Sequence, residues 1–134
     1  MRAAVLAVIL AACGSPSGDG ECTTDSNCGS NVCARDGECL PGDQVRMVVV
    51  TWTVGGQPAS AATCASFPDL YLQFDGSSYD DSFGFDPVPC AEGQFTIDKI
   101  PDRFTQAELG PSGELRDAVS QIDDHGDVSF DLSP

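Results

Sequence analysis

Basic side chains are scarce in this chain. Six Lys and Arg stand against 21 Asp and Glu in 134 residues, for a formal net charge of −15. So acidic a chain repels phosphate backbones, and nucleic acid is not an expected partner. The same charge argues against a direct electrostatic grip on anionic lipid. Histidine is scarcer still. His125 is the single one, which leaves no ligand set for a His-rich zinc enzyme. It sits in the polar stretch Asp123-Asp124-His125-Gly126-Asp127, and no serine has the nucleophile-elbow context that would complete a triad. The expectation is a protein that is not an enzyme, with no catalytic residue, no cofactor and no bound metal. Long apolar runs are also missing. The N-terminal one ends after ten residues, Ala3 to Ala12, whereas a membrane-spanning helix needs about 20. Disorder, the usual fate of strongly acidic chains, is disfavoured by the 41% of residues that are hydrophobic.

What is present begins with that short run. Arg2 precedes it and Leu10-Ala11-Ala12-Cys13-Gly14 closes it. This stretch resembles the lipobox of bacterial lipoproteins. The resemblance implies that residues 1–12 are a cleaved signal peptide and that Cys13 carries acyl chains. It further implies an exported protein, held in the cell envelope by lipid, with the outer membrane as the expected site. Residues 14–21 (GSPSGDGE) follow at once with no apolar side chain to bury. Residues 13–21 therefore read as a lipidated flexible tether, spanning about 15 Å on average.

Cysteine usage points the same way. There are seven. Setting Cys13 aside leaves six, the even number that a disulfide framework requires, and an oxidising compartment follows. Cys22, Cys28, Cys33 and Cys39 are spaced C-x5-C-x4-C-x5-C within residues 22–40, where Val32 and Leu40 are nearly the only core-forming side chains. Such a stub cannot fold by burial, so cross-links must hold it. Structural zinc is the rival, but its usual C-x2-C pairs are absent. Spacing alone allows three connectivities. The pattern resembles the cysteine stubs of Dickkopf-type secreted modules, and that resemblance implies the interlaced pairs Cys22–Cys33 and Cys28–Cys39. Cys64 and Cys90 are the two cysteines left in residues 41–134, and they are expected to pair with each other.

Pro41-Gly42-Asp43 reads as a boundary, and residues 43–134 as a second domain. In Val45–Val54 the even positions Val48, Val50, Trp52 and Val54 are apolar, and β-branched residues dominate, as a half-buried strand prefers. Leu70, Leu72 and Phe74 alternate with polar residues, as do Phe83 and Phe85, Phe95 and Ile97, and Val128, Phe130 and Leu132. Between them, Leu115, Ala118, Val119 and Ile122 fit helical spacing. A strand is expected there instead, because short strands and turns surround the segment. Gly93 to Phe104 (GQFTIDKIPDRF) resembles a stretch of carboxypeptidase-regulatory-like and collagen-adhesin-B-type domains, with Asp102-Arg103 where those have a glycine after the proline. The resemblance implies a transthyretin-like fold. The expected architecture is all-β: a small seven-stranded antiparallel β-sandwich after a disulfide-stapled stub. A stalk, spacer or binding role is what such domains imply.

Two acidic clusters complete the reading. Asp75, Asp80, Asp81 and Asp86 surround one loop, and Asp123, Asp124 and Asp127 lie in another. Neither matches the spacing of a calcium-binding EF-hand loop, and both are expected to be solvated surface acid. Tyr71 and Tyr79 are candidates for the rim of a sugar-binding surface. The expected function is a lipid-anchored envelope protein, acting as a structural or protein-interaction module toward an envelope protein or glycan. A carbohydrate- or calcium-binding module on the same scaffold is the alternative, and a small hydrolase the third.

Overall fold

The computed structural model describes residues 20–78, 80–113 and 118–134. Cys13, the signal segment, most of the tether, Tyr79 and residues 114–117 lie outside the described residues. The described chain is all-β, with short 3-10 turns and no α-helix. Its strands are β1 (Val32–Cys33), β2 (Cys39–Leu40), β3 (Val45–Val54), β4 (Gln57–Pro58), β5 (Asp69–Asp75), β6 (Ser82–Pro89), β7 (Gln94–Pro101), β8 (Gln106–Pro111), β9 (Ala118–Gln121) and β10 (Asp127–Leu132).

These ten strands form three sheets, and eight of them lie in the two larger sheets, where a seven-stranded sandwich was expected. The stub contributes a two-stranded hairpin, β1–β2. Two four-stranded sheets make the rest. One is centred on β3, flanked by β10 on one side and by β7 and the short β4 on the other. The second runs β6-β5-β8-β9. All-antiparallel pairing is corrected as well, because β10 runs parallel to β3. A parallel pair needs a long crossover. Here the whole second sheet lies between the two strands in sequence, and the turn after β9 carries the chain back to the first sheet.

The two larger sheets share one core, giving a sandwich-like packing. Val48, Val50, Trp52 and Val54 of β3 join Leu70, Leu72 and Phe74 of β5, Ile97 and Ile100 of β7, Ala107 and Leu109 of β8, and Val128, Phe130 and Leu132 of β10. Alternate residues of β3, β5 and β10 are buried, as period-two patterning dictates. Strand β8 was not legible as a strand. Its inward pair is only Ala107 and Leu109, and Gly110-Pro111 ends it, yet it pairs with both β5 and β9. Residues 118–121 are a strand, with Ala118 packed on the core and Val119 52% exposed.

At one open side of the sandwich, β6 and β7 bring their phenylalanines together. The Phe85 and Phe95 rings lie 5.3 Å apart, and Phe83 meets Phe104 edge-on at 4.9 Å. Phe83, Phe85 and Phe95 are half-buried against the core, while Phe104, in the turn after β7, is fully buried, and edge-to-face contact suits the aromatic quadrupole.

Candidate functional site

The stub folds around its cysteines. Cys22 is bonded to Cys33 and Cys28 to Cys39, with Cα–Cα separations of 5.8 and 5.4 Å. Local polar groups shape the rest. Asn27 Oδ1 accepts the backbone N–H groups of Thr23 and Thr24, both at 3.1 Å. Asp25 Oδ1 accepts the Cys33 N–H at 2.9 Å. Among the described residues, the sulfurs of Cys22, Cys28 and Cys33 form the one group of three potential metal ligands. All three are committed to disulfides, so no thiolate is free to bind an ion.

The stub rests on the corner formed by β7 and the turn after it. The β3–β7 ladder carries a bulge there, with Asp98 and Lys99 opposite the single residue Met47. Lys99 takes the left-handed conformation at φ 56°, which a side chain with a Cβ adopts only at a cost. The bulge re-aims both side chains toward the stub. Lys99 Nζ meets both carboxylate oxygens of Asp25 at 2.8 Å, and the Arg35 guanidinium is paired with Asp98. The Arg35 N–H donates to the Lys99 carbonyl at 3.0 Å.

Arg103 is the second clasp. Its guanidinium meets Asp36, Glu38 at 2.7 Å and Asp81 at 3.0 Å. It also lies 4.6 Å from the centre of the Phe104 ring, a cation–π arrangement. One side chain thus joins the stub to the loop between β5 and β6. Arg46 holds the same end of the sandwich, donating to the carbonyls of Asp123 at 3.0 Å and Phe104 at 3.1 Å. Of the six basic residues, Arg2 and Arg116 lie outside the described residues; Arg35, Lys99 and Arg103 bridge stub and sandwich, and Arg46 braces the sandwich itself.

The electrostatics follow from these contacts. The hydrogen bond from Lys99, aided by the Cys33 N–H, holds the Asp25 carboxyl below its ordinary value. Arg35 does the same for Asp98. Burial works against the Arg103 charge, but hydrogen bonds to Asp81 and Asp36 outweigh it and raise its pKa.

The acidic clusters serve separate local tasks. Asp81 is taken by Arg103, Asp86 accepts from the Ser112 hydroxyl at 2.6 Å, and Asp75 Oδ1 accepts from the Gln73 amide at 2.6 Å. Asp123 caps its own turn. Its Oδ1 accepts the N–H groups of His125 at 2.9 Å and Asp127 at 2.8 Å, in the manner of an Asx turn. Those donors, Asp127 first, lower its pKa. His125 and Asp124 are exposed in that turn. Tyr71 donates to Gln73 Oε1 on the outer face of β5.

That outer face bounds an open groove of about 650 Å³, walled by Gln73, Asp75, Ser78, Ser82, Gln106 and Glu108. Asp75 Oδ2 is buried there without a hydrogen-bond partner. Inside the sandwich, Cys64 and Cys90 are bonded with Cα atoms 5.8 Å apart.

Sequence reasoning missed the joint and the groove. The signal for the joint was the rarity of cations itself: in so acidic a chain each basic residue has many possible partners and few competitors. The groove gave no signal, since glutamines on one sheet face look like ordinary solvated positions.

No protein-family model matches the chain, and no curated protein and no solved structure matches it either.

Proposed function

We propose that this is an exported, lipid-anchored envelope protein without catalytic activity. In this reading its stub and sandwich form a structural or protein-interaction module. One observation carries it. The three disulfides consume Cys22, Cys28, Cys33, Cys39, Cys64 and Cys90, so Cys13 alone of the seven cysteines is left for acylation. Acyl chains would hold the protein through ~0.8 kcal/mol per buried methylene, enough for stable anchoring with two or three chains. A transthyretin-like sandwich is the finer fold reading. Setting aside the two-residue β4, seven strands of four residues or more remain in the two larger sheets, which supports it.

Metabolic labelling with a clickable fatty acid tests the anchor. The wild-type chain should label and sediment with membranes, while Cys13→Ser should lose the label and accumulate as uncleaved precursor. Membrane-bound maturation of Cys13→Ser would overturn the reading.

A carbohydrate-binding role is the second reading. The groove on the outer face of the β5–β8 sheet favours it, because amide, carboxylate and hydroxyl groups lie side by side there and Asp75 Oδ2 lacks a donor. Binding to a glycan array that is lost in Asp75→Asn and Glu108→Gln would support it. An array without signal for the folded wild-type protein would remove it.

A further inference from the structure

We propose that the joint between stub and sandwich is a charge-held latch. The stub docks as a unit, and releases as a unit about Pro41-Gly42 when its ion pairs are screened or protonated, while the sandwich stays folded. This does not depend on the anchoring reading.

Each side of the joint holds itself together. Two disulfides close the stub, a third lies within the sandwich, and none crosses between them. The hydrophobic core cluster contains no stub residue; Cys22, Cys33 and Ala34 are buried outside it. What crosses is polar. Lys99 pairs with Asp25, Arg35 with Asp98, and Arg103 with Asp36 and Glu38. One backbone bond accompanies them, from the Arg35 N–H to the Lys99 carbonyl at 3.0 Å.

Water and salt reach the Lys99 and Arg35 pairs most freely, while Asp36, 11% exposed, is the shielded member of the Arg103 pair. Lys99 and Asp25 are 33% and 48% exposed, and Arg35 and Asp98 49% and 45%. Exposed pairs contribute little individually and weaken as salt rises, so the joint depends on several acting together. Opening strands no buried charge. Arg103 keeps Asp81 and the Phe104 ring, and the carboxylates of Asp36 and Glu38 move into solvent.

The ionisable groups facing the joint are Glu21, Asp25, Arg35, Asp36 and Glu38 from the stub, Asp98 and Lys99 from β7, Asp102 and Arg103 from the corner, Asp81 from the β5–β6 loop, and Arg46 from β3. His125 is in the same turn as Asp123, whose carbonyl Arg46 meets, and bonds that turn through its backbone N–H. Docking holds the Asp25 and Asp98 carboxyls below their ordinary values, so acid undocks the stub only below the usual carboxylate range. High salt undocks it at neutral pH.

Pulsed EPR on the full chain tests this, with spin-labelled non-canonical residues at Ser30 and Ser133, both exposed. At low salt and neutral pH one narrow distance is expected. At about 1 M salt, where the Debye length falls to ~3 Å, the distribution should broaden while Trp52 fluorescence stays native. Arg35→Gln, Lys99→Gln and Arg103→Gln combined should broaden it at low salt. If that triple variant does not fold, wild type in salt decides alone. A narrow distance retained in high salt, or in a folded triple variant, would overturn the latch. So would a broad wild-type distribution at low salt.

Discussion

The indole Nε1–H of Trp52 donates to the carbonyl of Cys90 at 2.8 Å. The bond joins the last part of β3 to the residue that the Cys64 disulfide pins, and both residues are buried. A tryptophan pays for burial of its polar edge only by finding an acceptor, and this one finds a main-chain oxygen at the end of β6. Trp52→Phe should therefore leave the Cys90 carbonyl with the Gly93 N–H alone, at 3.2 Å, and destabilise the domain by roughly 0.5–1.5 kcal/mol. Urea unfolding followed by circular dichroism measures it. A change within error would mean the bond contributes nothing.

The Cys64–Cys90 disulfide closes a loop with a sequence separation of 26. Chain-entropy arguments give roughly 3–4 kcal/mol for a loop of that size, a large share of the ~5–15 kcal/mol of a whole domain. The double substitution Cys64→Ala/Cys90→Ala should lower the unfolding midpoint sharply. Removing both members of the Cys28–Cys39 bridge should leave the sandwich midpoint nearly unchanged, because no stub residue belongs to the core. Equal losses in the two variants would contradict this ordering.

Gly126 and Gly29 both have positive φ, 86° and 63°, but their surroundings differ. A Cβ on Gly126 would collide with the Met47 carbonyl, whereas one on Gly29 would meet nothing within 4 Å. The carbonyl of Gly126 also accepts the Val49 N–H at 2.9 Å, so the backbone there cannot shift freely. Gly29→Ala should cost about 1 kcal/mol from conformation alone, and Gly126→Ala distinctly more. Thermal melts of the two variants settle the order.

Acid should loosen the turn before β10. Asp123 has a depressed pKa because it accepts the Asp127 and His125 N–H groups. A carboxyl with a folded pKa below its unfolded one stabilises above the unfolded value, and that contribution fades as pH falls through the folded value. Stability should therefore decline as pH drops below about 4. Asp123→Ala should be less stable than wild type at neutral pH and show a shallower decline in acid. Parallel pH profiles of melting temperature for the two proteins would exclude this role.

Much of the strand pattern was legible, for an identifiable reason. Strand β3 spans the Val45–Val54 segment, where alternating β-branched and aromatic residues leave one face to bury. The same holds for β5 and β10. Strand β8 was hidden because Ala107 and Leu109 make a weak apolar face. β4 was hidden because Gln57-Pro58 reads as turn. The parallel run of β10 beside β3 left no local trace at all, since pairing direction depends on where the chain returns from.

The boundary between sequence and tertiary structure falls along interaction range. Composition, cysteine parity and period-two patterning are properties of neighbours along the chain, and by themselves they determined an all-β, disulfide-linked, strongly acidic protein. Spacing left the stub with three connectivities, and the resemblance to secreted cysteine stubs implied one of them. Only the tertiary structure decided where the few cations go. Arg35 meets Asp98, and Lys99 meets Asp25, across sequence separations of 63 and 74. Those partners were chosen by the β7 bulge and the seating of the stub, and with 21 acidic residues to choose from no local pattern could have named them.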